Sequence, residues 1–221
     1  VRFFAKSFSS DTSIVSLVIN AVETYGREGA YHLIGLSRYL PQTEVSVAWV
    51  IDELEKEQND QYENYIYNLS MVLVNADAKL LVPKETAICE SKRIHPELIA
   101  TISERLRMLS WDEATCWREL EAFCEEGKDK EFVGDVNLSY GNRIVETLAR
   151  YGDTCEEKVL ALLQQQVEDY SHHPMRWMEP LAVRLAGRAQ LESAIPLLIT
   201  KLVEDTDDLL NEECAEALTR I

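Results

Sequence analysis

The sequence predicts an all-α fold, an α-solenoid of stacked antiparallel helix pairs. Three observations predict it. Apolar residues recur at helical spacing nearly throughout. Gly (8) and Pro (6) are scarce for 221 residues, against the many turns an all-β fold needs. Two stretches near the C-terminus resemble each other at a spacing of about one helix pair.

Ile14, Val18, Ala21, Val22 and Tyr25 share one face of the first helix, with Asp11 or Ser13 as its cap and Gly26 as its end. "AYHLIGLSRYL" forms a shorter helix that stops before Pro41. Thr43 caps "TEVSVAWVIDELEKE", which turns Val47, Val50, Ile51 and Leu54 inward and acid outward. "QYENYIYNLSMVLVNA" buries Tyr62, Tyr65, Ile66, Leu69, Val72 and Leu73. Its length favours a helix over the competing strand.

Pro83 breaks the segment 77–93, and "KETAICES" adds a short helix. Pro96 opens the next helix, with Leu98, Ile102, Leu106 and Leu109 inward. In "SWDEATCWRELEAFCEEG", capped by Ser110 or Asp112, one side carries Cys116, Trp117, Leu120, Phe123 and Cys124. "KDKEFVGDVNLSYGN" (128–142) is the least patterned stretch and reads as a boundary or long loop, dividing 1–134 from 135–221. Four helical segments follow, for a total of roughly ten or eleven.

Aligning Val159 with Ile195 sets "EKVLALLQQQVED" on "SAIPLLITKLVED", offset by 36 residues. The helix ends "TLARYGD" and "VRLAGRAQ" correspond at an offset of 37. A unit of this size holds two helices and buries its apolar face only against neighbours, so the array is expected to continue past Ile221 as part of a longer chain. The run Ala194, Ile195, Pro196, Leu197, Leu198, an Asp-rich turn (Asp205, Asp207, Asp208), and inward positions Leu210, Ala215, Ala217, Leu218 and Ile221 resemble a HEAT-like repeat, of the kind also found in phycobilisome lyases. The resemblance covers residues 140–221 best and implies a HEAT-like superhelix. Asn211 stands where that pattern has an Arg bonding along the stack to acidic turn residues.

Lys and Arg number 22 against 39 Asp and Glu, a formal charge of −17. Binding a phosphate backbone requires cations, so nucleic acid and anionic membrane surfaces are not expected as partners. A basic protein or peptide, held in the groove that stacked repeats create, is. No apolar run approaches the ~20 residues that span a bilayer. Five scattered cysteines (Cys89, Cys116, Cys124, Cys155, Cys214) read as reduced, buried thiols of a cytoplasmic protein.

No catalytic, cofactor or metal motif is spelled out, and none is assigned. His172 and His173 precede Pro174; with Glu168, Asp169 or Glu179 they compose an acid–base or metal constellation, against the simpler reading of a helix-capping loop. "EDTDD" (204–208) could hold a hard cation, or cap the next helix through an Asp. Cys116 and Cys124 lie near one helix face, where core packing is the simpler role. The triplets at 68–70 and 137–139 match a glycosylation signal that arises by chance. Trp49, Trp111, Trp117, Trp177, Tyr62 and Tyr65 read as core. Tyr67 lies off the stripe and is the one candidate binding residue. The predicted function is a non-enzymatic interaction scaffold without cofactor. A repeat-based enzyme, metal-dependent or lyase-like, with a site across adjacent helices, is the alternative.

Overall fold

The structure, a computed structural model, describes residues 11–56, 62–204 and 208–221, the side chains of residues 30 and 31 excepted. Every regular element among the described residues is helical. The chain folds as two compact units, Val1–Leu109 and Ser110–Ile221.

In the first unit, α1 (Ser13–Ser37) is broken at Gly26, whose φ of 75° suits a residue without Cβ. Asp11 Oδ1 accepts from the Ser13 amide at 2.9 Å and anchors its start. The break ends the α1 stripe just after Tyr25, and the ring expected inside is 76% exposed. α2 (Glu44–Leu54) begins in a capping box, Thr43 accepting from the Ser46 amide while Ser46 accepts from the Thr43 amide. α3 (Glu63–Asn75) packs against α1, α2 and α6 (Pro96–Met108), with Tyr65, Leu69, Val72 and Leu73 buried. The helix predicted over the strand is what forms. Between α3 and α6 run the short α4 (Ala78–Leu81), a 3-10 turn at Val82–Lys84 that accommodates Pro83, and α5 (Glu85–Glu90).

Among the described residues of this unit one carboxylate, Glu53, is buried. Glu53 receives the Arg27 guanidinium at 2.7 Å, the Tyr65 hydroxyl at 3.1 Å and the Lys56 ammonium. Desolvation and that neighbouring carboxylate push the Tyr65 phenol well up.

The second unit opens with α7 (Glu113–Gly127), capped by Asp112, which accepts from the Thr115 amide at 2.8 Å. Its inward stripe is the predicted one: Cys116, Trp117, Leu120, Phe123 and Cys124 are all buried. The segment read as a boundary lies inside this unit. Trp177 Nε1 donates to Gly127 O at 2.8 Å and Arg176 to Glu131 O at 2.6 Å, tying the loop to a later helix. Its last residues are helical, since Asn137 caps α8 (Leu138–Leu148) through the Tyr140 amide.

α9 (Glu156–Gln164), α10 (Met175–Ala189), α11 (Ile195–Glu204) and α12 (Asp208–Arg220) complete it. α8 packs on α10 and α10 on α12; α9 packs on α10, and α11 on α12. Ile144, Val145 and Leu148 of α8 are buried, as are their counterparts Leu181, Ala182 and Leu185 of α10, at the offset of 37. For α9, and for α11 with the 3-10 turn Glu192–Ala194 that leads into it, the buried pairs are Val159 with Ala194 and Leu163 with Leu198, an offset of 35. The face of α11 is thus rotated from the alignment at 36, leaving Ile199 and Val203 49% and 79% exposed.

The α10–α12 contact is close enough that a Cβ at Gly187 would stand 2.6 Å from Ala217 Cα. Arg184 of α10 and the buried Glu213 of α12 join across it. A polar tie between these helices therefore exists without an Arg at position 211. No helix among the described residues is long and apolar enough to cross a membrane.

Candidate functional site

Tyr170 stands between two cavities of the second unit. One, about 270 Å3, lies among the 131–133 loop, the first turns of α10 and the start of α12; Val133, Trp177, Pro180, Leu209 and Leu210 supply its apolar wall. The other, about 550 Å3, is lined by Gln164, Gln165 and Gln166 at the end of α9 and just after it, and by Thr200, Lys201 and Glu204 of α11.

Beneath Tyr170 lies a buried cluster. Glu179 is 2% exposed, on the first half of α10. Its Oε2 accepts from the Tyr170 hydroxyl at 2.6 Å and its Oε1 from the Lys201 ammonium. An ionised carboxylate is tolerated at such burial only when paired, and both oxygens are engaged. The cluster fixes the Tyr170 ring and α11 against α10.

The rims are acidic. Glu131, Glu168 and Glu204 are exposed, whereas Arg176 is half-buried and already donates to a backbone carbonyl. The three glutamine side chains are exposed beside them, each able to donate and accept.

The sequence-predicted constellations are rearranged. His172 pairs through Nδ1 with Asp129 at 2.7 Å, and both are solvated. His173 Nδ1 accepts from the Met175 amide at 3.1 Å beside the start of α10, whose N-cap position is Pro174, without a side-chain cap. Asp169 accepts from the Ser171 amide at 2.8 Å, which holds its carboxyl below the ordinary Asp range. Glu179 is engaged by Tyr170 and Lys201 rather than by either histidine, and His172 adds only a minor lowering to Asp169. Among the described residues no cluster of His, Cys, Asp and Glu suits a metal ion; Asp205 and Asp207 of the acidic turn lie outside them.

Cys116 and Cys124 are buried, and desolvation pushes their thiols up to about 11 and about 12. Cys155 is also buried, its thiol raised to about 11 by burial and by Glu113. Cys89, expected inside, is exposed: it is the last but one residue of the short α5, whose buried position is Ile88. Tyr65, Trp117 and Trp177 are core residues, while Trp49, Trp111 and Tyr62 are half-buried. Asn137, of the second glycosylation-like triplet, serves as a helix cap.

Tyr67 is 52% exposed, on α3 of the first unit. Of the residues lining the cavities, the sequence reading names Glu168, Trp177, Glu179, Glu204 and Leu210 in other roles and misses Tyr170, Arg176, Lys201 and the three glutamines, although "QQQVEDY" carried a signal, exposed amides running into acid and an aromatic. Comparison of the chain with protein-family models, with curated proteins and with solved structures gives no match.

Proposed function

We propose that the protein is a non-enzymatic interaction scaffold that binds a basic protein or peptide along the groove beside Tyr170. The observation that carries this reading is the acidic rim, Glu131, Glu168 and Glu204, set around an aromatic residue and a row of glutamine amides. Carboxylates select lysine and arginine, the amides suit the donors and acceptors of an extended backbone, and Tyr170 offers a ring to pack on. The charge of −17 favours encounter with such a partner.

The HEAT-like reading of residues 135–221 is part of the proposal. It is supported by the serial packing of α8, α10 and α12, with α9 and α11 laid beside the second and third of them. A helical array of that kind creates a groove along one edge. Tyr67 is a second surface contact in this scheme, on the first unit.

The test is fluorescence anisotropy of labelled Lys/Arg-rich peptides titrated with the 221-residue chain. Binding that weakens with salt and is lost in Glu168→Gln/Glu204→Gln supports the groove. Binding unchanged by that double substitution sinks it.

The Tyr170–Glu179–Lys201 cluster, drawn from the 165–174 loop, α10 and α11, supports the second reading, a repeat-based enzyme with a site across adjacent helices. An activity lost in Tyr170→Phe with the fold intact would favour it.

A further inference from the structure

We infer that the 270 Å3 cavity on the α10–α12 side of Tyr170 is a socket for one large apolar side chain, of the size of Phe, Leu or Met, carried by the basic ligand. This rests on the scaffold reading and adds a sequence requirement to it: the partner segment is an apolar residue set among lysines and arginines.

The volume fits. A cavity of about 150 Å3 lined by apolar side chains accepts a benzene ring, so about 270 Å3 admits an aromatic or branched side chain. The wall fits as well. Val133 comes from the loop after α7, Trp177 and Pro180 from α10, Leu209 and Leu210 from α12. The loop is tied down by the Trp177–Gly127 and Arg176–Glu131 bonds, so the socket is preformed.

Apart from the Glu131 carboxylate at the exposed rim, the polar groups named along the wall already have partners. Both Glu179 oxygens are taken, by Tyr170 and Lys201, and Arg176 donates to Glu131 O. A charged or amide-bearing ligand side chain would forfeit its hydration without new partners, whereas an apolar one would gain by burial.

Charge complementarity identifies the rest of the occupant. Glu131 lines the socket's rim, and Glu168 and Glu204 line the groove on the other side of Tyr170. A chain passing over Tyr170 therefore leaves its apolar anchor on one side and meets carboxylates on both. Such an arrangement, an apolar anchor with a polar rim, concentrates affinity in the anchor.

The test uses nine-residue peptides of Lys, Arg and Gly with a single Phe placed at each position in turn, each beside its Ala twin, titrated against the full chain by fluorescence anisotropy. At the best position Phe is expected to bind on the order of tenfold more tightly than Ala, the gain from burying one large side chain. Val133→Gln and Leu209→Gln, at partly exposed wall positions, are expected to bring that ratio towards one. Glu168→Gln/Glu204→Gln should weaken both twins alike. If the peptides bind and Phe equals Ala at every position, the socket is wrong and the scaffold reading stands. If none binds, both fall.

Discussion

The Tyr170 hydroxyl donates to Glu179 Oε2 at 2.6 Å while Lys201 holds the other oxygen of the same buried carboxylate. That relationship joins the loop before α10 to α11 and sets the ring that divides the two cavities. The cost of breaking it falls on the charge left behind. Lys201→Met strands Glu179 with the Tyr170 hydroxyl, and a destabilisation of roughly 3 kcal/mol or more is expected in urea unfolding. Glu179→Gln/Lys201→Met removes both charges, keeps an acceptor for Tyr170, and should recover most of the loss. A Lys201→Met variant as stable as the parent would show that the pair is not closed in solution.

Gly187 tests the closeness of α10 and α12. An added Cβ would meet Ala217 Cα at 2.6 Å and Cβ at 2.8 Å, a backbone atom and the methyl fixed to it, neither of which can swing aside. Gly187→Ala should therefore cost about 2 kcal/mol, despite alanine's better helix propensity. Gly134→Ala, with nothing within 4 Å, should stay within about 0.5 kcal/mol of the parent.

Asp112 carries an expected pH dependence. The Thr115 amide bond favours the carboxylate and lowers its pKa on folding. A lowered folded pKa means stability that is present above the unfolded value and lost as pH falls through the folded one. Asp112→Asn keeps an acceptor but cannot titrate, so its stability should fall less steeply than the parent's between about pH 5 and 2.

The thiols give a direct count. Cys89 is exposed, whereas Cys116, Cys124, Cys155 and Cys214 are buried. Under native conditions a maleimide is expected to label one cysteine per chain, Cys89, and all five in denaturant. Rapid native labelling at Cys116 or Cys155 would contradict the packing of α7 against the turn after α8.

Much of the helix pattern was legible because burial follows the period of the helix. The α7 stripe and the Asp112, Thr43 and Pro96 starts are local properties, and they stand as read. Tyr25 failed because the axis breaks immediately after it at Gly26, and Cys89 because the buried position of the short α5 is its neighbour Ile88. Residues 128–137 lacked periodicity, so sequence could not show that the Gly127 and Glu131 carbonyls are held by Trp177 and Arg176. The site was the least legible part. Glu179 was set beside histidines because they are neighbours in sequence, yet its partners are Tyr170 and Lys201, 9 and 22 residues away. Which loop a helix face meets is decided by packing, and no local pattern records it.

The most direct measurement is the dissociation constant of a labelled Lys/Arg-rich peptide for the full chain and for Glu168→Gln/Glu204→Gln, across a salt series, with Glu97→Gln, at another exposed position on α6, as control. The expected result is binding that weakens steeply with salt in the parent and the control, and weakly or not at all detectable binding in the double variant. Equal affinity in all three proteins would contradict a basic ligand seated beside Tyr170.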